Sequence, residues 1–91
     1  MNYKIKNITD LNGEKRTDGR YPLRIGRIID GENSIVKVGL CAVLVYLTDE
    51  NGEECIGKCL RTSPIRSLYI DYDNMDITFE TLNSIYKLEL V

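Results

Sequence analysis

Two carboxylates in the C-terminal half of the chain have the spacing of a facing pair. Asp71 and Asp76 flank the dipeptide Asp73-Asn74, which is typical of a turn between two β-strands. Pairing the strands about this turn places the two side chains opposite each other, where like charges destabilise a hairpin. Such a pair would suit acid–base chemistry, a bound cation or a basic partner. The competing interpretation is a solvated hairpin tip at which water screens both charges.

Further acidic residues cluster at two predicted hairpin tips. They are Asp49, Glu50, Glu53 and Glu54 around Asn51-Gly52, and Asp71, Asp73 and Asp76 around Asp73-Asn74. Together these carboxylates could imitate a run of phosphates and occupy the nucleic-acid channel of another protein. That hypothesis requires both tips to lie on one side of the molecule. The alternative is that turns are ordinarily polar because they lie at the surface.

A basic and aromatic set has the opposite charge. Its members are Arg20, Arg24, Arg27, Arg61, Arg66, Tyr21 and Tyr69. Arginine beside exposed tyrosine suits base stacking on single-stranded nucleic acid and equally suits the centre of a protein interface. The formal net charge of −2 provides no general attraction for nucleic acid, so we rank a protein partner first. The alternative is that these arginines occupy ordinary outward positions of strands.

Catalysis and metal binding have little support in the residue types. The chain has no histidine, the commonest general base, and "IGRIIDGE" lacks the spacing and the lysine of a phosphate-binding loop. Cys55 and Cys59 lie about 13 Å apart along one predicted strand, beyond disulfide reach, and Cys41 has no cysteine opposite it. We therefore expect reduced, mostly buried thiols, no catalytic residue, no metal and no cofactor.

The composition is that of one small folded domain comprising residues 1–91. Hydrophobic residues make up 43% of the chain and charged residues 29%, which is ordinary for a globular protein. The longest apolar stretch, "VGLCAVLVYL", is too short to span a bilayer, and "MNYKIKNITD" does not resemble a secretion signal. We therefore expect a soluble protein of the cytoplasm that makes no membrane contact.

Dense turn dipeptides between short β-branched or aromatic runs predict an all-β chain. The predicted strands are 2–8, 21–29, 35–48, 53–60, 65–72, 76–81 and 85–90. The polar segment from Thr9 to Arg20 is predicted to be a mobile loop. Residues 1–20 would then comprise an N-terminal strand and this loop, and residues 21–91 would form the barrel itself.

Two hairpins can be given a register. A two-residue turn at Asn51-Gly52 would pair Val43 with Leu60. The turn at Asp73-Asn74 gathers a predicted core face: Leu68, Ile70, Tyr72, Met75, Ile77 and Phe79. The opposite face must contact solvent or a partner, and it carries Arg66, Tyr69, Asp71 and Asp76.

The C-terminal stretch "ITFETLNSIYKLELV" alternates as a strand, breaks at residues 82–84 and then alternates again. Asn and Ser readily bond to their own backbone, so Leu82-Asn83-Ser84 suit a single 3₁₀ turn. A strand, a 3₁₀ turn and a last strand that pairs with the first is how SH3-like barrels end. We therefore predict a small SH3-like barrel of roughly five to seven short antiparallel strands. An OB-like barrel is less favoured, since no segment of helix length lies between the third and fourth strands.

The region from "YPLRIGRI" through "TLNSIYKLEL" resembles small uncharacterised proteins carried by phages and mobile elements of Firmicutes. The resemblance covers roughly residues 21–90 and rests on short motifs: Arg24, Gly26, Thr62-Ser63-Pro64, Thr81, Asn83-Ser84 and Tyr86. It implies no activity and no catalytic residue. What it implies is an accessory protein that binds and inhibits a host defence protein, as anti-CRISPR proteins do. Several of the motif residues also suit turns at strand ends.

The sequence therefore predicts a binding module rather than an enzyme. The first hypothesis is an inhibitor of a host protein that uses the acidic tips or the arginine and tyrosine face. The candidate partner-binding residues are Arg24, Arg27, Arg66, Tyr69, Asp71, Asp73, Asp76, Glu50 and Glu53. The alternative is a barrel that binds RNA or single-stranded nucleic acid through Arg24, Arg27, Arg66 and Tyr69. The protein would be a monomer, or a homodimer joined through edge strands or through the strand 2–8.

Overall fold

A computed structural model describes residues 1–91 as six β-strands and one short helical turn. The strands are β1 (Asn2–Thr9), β2 (Ile28–Asp30), β3 (Cys41–Thr48), β4 (Cys59–Asp71), β5 (Asp76–Thr81) and β6 (Ile85–Leu90). The helical turn, α1 (Tyr21–Arg24), lies between β1 and β2. The all-β prediction is confirmed.

The strands close into a barrel in chain order. Each strand is antiparallel to the next, and β6 also pairs with β1, from Tyr3 opposite Leu90 to Thr9 opposite Ile85. Closure with six strands gives a small SH3-like barrel. Because β1 pairs with both β2 and β6, it is itself a barrel strand. The homodimer stays a prediction.

Alternation along the strands turns one face of each towards the inside of the barrel. Twelve buried side chains form this core: Tyr3, Ile5, Ile8, Ile29, Ala42, Leu44, Tyr46, Leu60, Ile65, Phe79, Tyr86 and Leu88. Phe79 and Tyr86, which are opposite each other on β5 and β6, stack with their ring centroids 5.0 Å apart. Full burial of side chains of this size contributes about 1.5–3 kcal/mol each to stability.

The prediction of a strand over residues 21–29 is wrong in its first part. Pro22 lies in the first turn of α1, where its missing N–H and fixed φ are tolerated. Gly26 has a φ of +91°, a left-handed conformation that is not extended, and β2 begins only at Ile28. The connection between β1 and β2 is therefore a folded loop rather than a strand.

Two other predicted strands are shorter in the structure than in the prediction. Gly39, with a φ of +92°, divides the predicted strand 35–48, and Ile35 folds back to bridge Val43. Gly57, also at +92°, divides the predicted strand 53–60. In both places a left-handed glycine ends extended structure.

The register predicted around Asp73-Asn74 is confirmed, with Leu68 opposite Phe79. The register predicted around Asn51-Gly52 is wrong, because Leu60 lies opposite Leu44 and not Val43. The turn held by Asp49, whose Oδ1 accepts the N–H groups of Asn51 and Glu53, pairs Thr48 with Glu54. Between this bridge and Cys59 the second arm of the hairpin has two more residues than the first, around the left-handed Gly57, and this places Leu60 opposite Leu44.

The 3₁₀ turn predicted before the last strand is absent, and β5 and β6 form a tight hairpin instead. Leu82 and Asn83 are its loop, since the Thr81 N–H donates to the Ser84 carbonyl at 2.8 Å. The Thr81 hydroxyl oxygen also accepts the N–H groups of Asn83 and Ser84 at 3.3 and 3.1 Å. Thr81 and Ser84 are each only 1% exposed. The Thr81 side chain thus satisfies the N–H groups of Asn83 and Ser84, which lie in the segment predicted to form the 3₁₀ turn.

The segment predicted as a mobile loop carries its own hydrogen bonds. Thr9 bridges to Lys15, and Asp10 Oδ1 accepts the N–H groups of Asn12 and Glu14 at 2.9 and 3.0 Å. The mobility of residues 9–20 stays a prediction.

The three cysteines are unpaired in the structure. Cys41 and Cys55 are half-buried and Cys59 is exposed, so the prediction of mostly buried thiols is wrong for Cys59. No three Cys, Asp or Glu side chains come together as metal ligands. No helix of the protein has the length and apolar character needed to cross a membrane.

Candidate functional site

β4 changes partners along its length and leaves part of one side unpaired. It pairs with β3 as far as Pro64, and Ile65 exchanges backbone hydrogen bonds with the loop at Gly39 and Leu40. From Ile65 onwards it pairs with β5 alone. On the side away from β5, residues 66–71 have no strand or loop partner. This stretch, the β4 edge, presents unpaired backbone donors and acceptors to solvent.

An open groove of about 550 Å³ follows the β4 edge into the hairpin turn. It is lined by Leu68, Tyr69, Ile70, Asp71, Tyr72 and Asp73. Tyr69 is 67% exposed and Tyr72 is 77% exposed, so both rings stand in solvent. The prediction that Tyr72 belongs to the core is wrong, because it lies beyond the last strand pair, Asp71 with Asp76.

Three carboxylates, Asp71, Asp73 and Asp76, form an acidic tip at the end of this hairpin. Asp71 and Asp76 face each other as predicted. Asp71 Oδ1 accepts the Asp73 N–H at 3.0 Å, and Oδ2 accepts the side-chain amide of Asn74 at 3.0 Å. The Asn74 hydrogen bond is the largest of the effects that lower the pKa of Asp71 below its usual range. Asp71 therefore stays ionised and is engaged in holding the turn.

A second depression lies between the β1–β2 connection and the β3–β4 hairpin. This basic cleft, of about 360 Å³, is lined by Arg20, Leu23, Arg24, Arg27, Tyr46, Lys58, Cys59 and Leu60. Four of these side chains are cationic and none is acidic. The cleft is the candidate site for an anionic ligand.

Arg24 is held in the basic cleft by two tyrosines. Its guanidinium lies over the Tyr21 ring, 4.7 Å from the centroid, and donates to the Tyr86 hydroxyl at 3.3 Å. Burial raises the pKa of Tyr86 despite the opposing effect of Arg24, so the hydroxyl is neutral at physiological pH. Arg16 lies over the same Tyr21 ring at 4.2 Å. Tyr21 therefore contacts two guanidinium groups, which positions Arg24.

Arg27 is held by a carbonyl, a carboxylate and a ring. Its Nε donates to the Leu23 carbonyl at 3.1 Å and to Glu50 Oε2 at 2.9 Å, and its guanidinium lies 4.7 Å from the centroid of the Tyr46 ring. Burial lowers the pKa of Arg27, but the Glu50 hydrogen bond and the nearby Tyr46 outweigh it, so the pKa is raised. The Arg27 charge is thus permanent, and Glu50 neutralises it.

The structure divides the predicted site residues between these two surfaces. Those on the β4 hairpin are Arg66, Tyr69, Asp71, Asp73 and Asp76. Arg24 and Arg27 line the basic cleft, where Glu50 pairs with Arg27. Glu53 is exposed in the turn after Asp49 and lines neither surface. The set predicted to bind nucleic acid, Arg24, Arg27, Arg66 and Tyr69, is therefore split between two surfaces.

The hypothesis of two acidic tips that imitate phosphates loses one charge to an ion pair, because Glu50 is paired with Arg27 at 2.9 Å. Asp49 accepts hydrogen bonds from its own turn, as Asp71 does at the other tip. At that hairpin only Glu53 and Glu54 are exposed carboxylates without a partner.

Sequence reasoning missed Arg16, Lys58 and Tyr46. Arg16 bonds to Ser84, 68 positions away along the chain, and Lys58 joins the cleft only because the β3–β4 hairpin folds against the β1–β2 connection. Neither has a local signal. Tyr46 could have been found, since it alternates with Ala42 and Leu44 on the inner face of β3.

No protein family, curated protein or solved structure matches the chain. The resemblance to proteins of phages and mobile elements therefore stays a prediction.

Proposed function

We propose that the protein is a non-enzymatic binding module that holds an extended segment of a partner protein against the β4 edge. The observation that carries the proposal is the unpaired side of β4 over residues 66–71, next to an open groove. An unpaired strand edge is a template for a further strand, and peptide recognition by strand addition uses such an edge.

The chemistry of the surroundings supports strand addition. Backbone hydrogen bonds along the edge would supply affinity without regard to sequence. Tyr69 and Tyr72 offer large, rigid rings at low entropic cost, as in the centres of many interfaces. Val38 and Leu40, which are 52% and 50% exposed, extend this apolar surface where their loop meets β4 at Ile65.

The acidic tip defines the class of partner segment. Asp71, Asp73 and Asp76 place negative charge at the turn end of the β4 edge. A segment with lysine or arginine at that end would be attracted and oriented, while an acidic segment would be repelled. We propose a basic extended segment as the ligand.

We further propose a host protein as the partner and inhibition as the outcome. The resemblance to accessory proteins of phages and mobile elements supports this choice. A segment of the host protein that pairs with the β4 edge could not pair with its normal partner at the same time. This competition would inhibit the host protein.

The test begins with selection of peptides from a random display library on the intact protein. We expect enrichment of extended peptides with basic residues, because the edge supplies backbone pairing and the tip supplies charge. Hydrogen exchange with one synthetic selected peptide should slow at the amides of residues 66–71. The double substitution Tyr69→Ala/Tyr72→Ala should weaken binding by about tenfold or more.

A matched control is the double substitution Ile56→Ala/Leu82→Ala, which removes exposed apolar side chains outside the groove. It should leave peptide binding unchanged. Slowed exchange elsewhere on the barrel, or equal binding by the two double variants, would reject the β4 edge as the site. Dimerisation that protects the same amides without peptide would identify a second copy of the chain as the occupant.

A further inference from the structure

We propose that the basic cleft is a second binding site, for a small organic phosphate of about mononucleotide size. The proposal does not depend on the function proposed for the β4 edge, because the groove and the cleft have no lining residue in common. It rests on the charge of the cleft, the fixed positions of its guanidinium groups, and its size and apolar wall.

Three of the four cations in the cleft have no carboxylate partner. Arg20, Arg24 and Lys58 form no ion pair, whereas Arg27 is neutralised by Glu50. The chain as a whole has more acidic than basic residues, 14 against 12, so this is a local excess of positive charge. Like charges in one concavity repel each other, and an anion bound between them removes that repulsion.

The position of Arg24 is set before any ligand arrives. The Tyr21 ring and the Tyr86 hydroxyl hold its guanidinium, and Arg16 also lies over the Tyr21 ring. A planar guanidinium can donate two parallel hydrogen bonds to a phosphate. Because the group is already ordered, little side-chain entropy is lost on binding. Lys58 and Arg20, which are exposed, can adjust around the remaining phosphate oxygens.

The rest of the lining limits the kind of phosphate. Leu23, Tyr46, Cys59 and Leu60 give half of the cleft an apolar wall, and Leu23 is 53% exposed. An inorganic anion would leave this wall unused, whereas a nucleoside or other apolar group would cover it. The volume of about 360 Å³ is near the lower limit for ligand pockets. A nucleic-acid strand is longer than this volume and would extend past the cleft.

The test is a titration of the full-length protein, followed by amide NMR shifts and calorimetry, with four separate probes: ADP, adenosine, inorganic pyrophosphate and a short oligothymidine. We expect ADP to bind, to shift the amides of residues 20–27 and 58–60, and to bind more tightly than pyrophosphate or adenosine. Lys58→Ala, which removes no side-chain hydrogen bond or ion pair of the fold, should weaken ADP binding by about tenfold. The control Arg61→Ala makes the same change in net charge outside the cleft and should alter affinity by less than about twofold.

Each other result overturns the proposal. Absence of ADP binding at about 5 mM would show that the cleft has no such site. Equal affinity for pyrophosphate and ADP would show that the apolar wall contributes nothing. Binding of the oligothymidine alone would identify a nucleic-acid strand as the ligand. Equal losses in Lys58→Ala and Arg61→Ala would show a general charge effect and no site in the cleft.

Discussion

Arg16 Nη1 donates to Ser84 Oγ at 3.0 Å, which joins the β1–β2 connection to the β5–β6 turn across 68 positions of the chain. The same guanidinium donates to both carboxylate oxygens of Asp18, at 3.0 and 2.8 Å, and to the Asn83 carbonyl at 3.0 Å. It also lies over the Tyr21 ring. The Arg16 side chain thus fixes the β1–β2 connection, the longest in the protein, to the turn between β5 and β6.

Arg16→Lys is expected to loosen this connection and to lower the melting temperature. A lysine keeps the charge but cannot supply the planar fork that contacts Asp18, Asn83 and Ser84 together. Hydrogen exchange should become faster at residues 10–20, while the core strands keep their protection. Arg61→Lys is the control, since Arg61 is exposed and forms no side-chain hydrogen bond or ion pair. Equal exchange in the two variants would contradict the role of Arg16.

Replacing threonine by valine should lower the free energy of unfolding at Thr62 but not at Thr48. Thr62 Oγ1 accepts the buried Ala42 N–H at 3.1 Å, so Thr62→Val leaves that donor unsatisfied and costs about 1–3 kcal/mol. Thr48 Oγ1 is buried without a partner, so Thr48→Val removes an unsatisfied group and is neutral or stabilising by up to about 1 kcal/mol. Urea denaturation of both variants measures the difference. Equal destabilisation would show that the Thr62 hydrogen bond adds nothing.

Phe79→Ala is expected to destabilise the barrel by about 3–5 kcal/mol, since it opens a cavity beside Tyr86. Phe79 is fully buried and stacked on Tyr86 with an interplanar angle of 6°. A domain of this size has a total stability of about 5–14 kcal/mol, so the variant should unfold at much lower urea. Tyr72→Ala removes an aromatic ring of comparable size that is 77% exposed, and we expect a change below about 0.5 kcal/mol. A similar midpoint for the two variants would be inconsistent with the packing described.

The acidic hairpin tip should lose stability as the pH falls through the lowered pKa of Asp71. The largest cause of the lowered Asp71 pKa is the hydrogen bond from the Asn74 side-chain amide. A carboxyl whose pKa is lower in the folded state stabilises that state above its unfolded pKa of about 3.9, and the contribution is lost on protonation. Asn74→Ala should therefore raise the Asp71 pKa towards its ordinary value, as measured by carboxyl NMR titration. Asp73→Asn is the control because its side chain accepts no hydrogen bond from this turn. An unchanged Asp71 pKa in Asn74→Ala would refute this assignment.

Parts of the fold that depend on near neighbours could be predicted from the sequence. The β4–β5 register follows from a turn whose Asp71 binds its own backbone and from alternating apolar residues that end at Phe79. The register of β3 and β4 could not be found in the same way. It depends on a second acceptor, Asp49, and on two extra residues around the left-handed Gly57 in the second arm of the hairpin.

The candidate surfaces show the same division. Tyr69 and Asp71 were identified as outward-facing residues of one strand, and strand alternation is a property of consecutive residues. The basic cleft brings Arg24 beside Lys58, and no pattern in the sequence relates those positions.

The sequence by itself determined an all-β chain, its principal turns and the absence of histidine chemistry. These follow from side-chain type and from hydrogen bonds within a few residues. Only the tertiary structure decided which side of β4 stays unpaired and which cations share a cleft. The first depends on how β4 is paired in the closed barrel, with β3 along its first part and with β5 along the rest. The second depends on the packing of the β1–β2 connection, residues 10–27, against the β3–β4 hairpin. Loop closure over such separations is governed by the packing of the whole core, which no local pattern encodes.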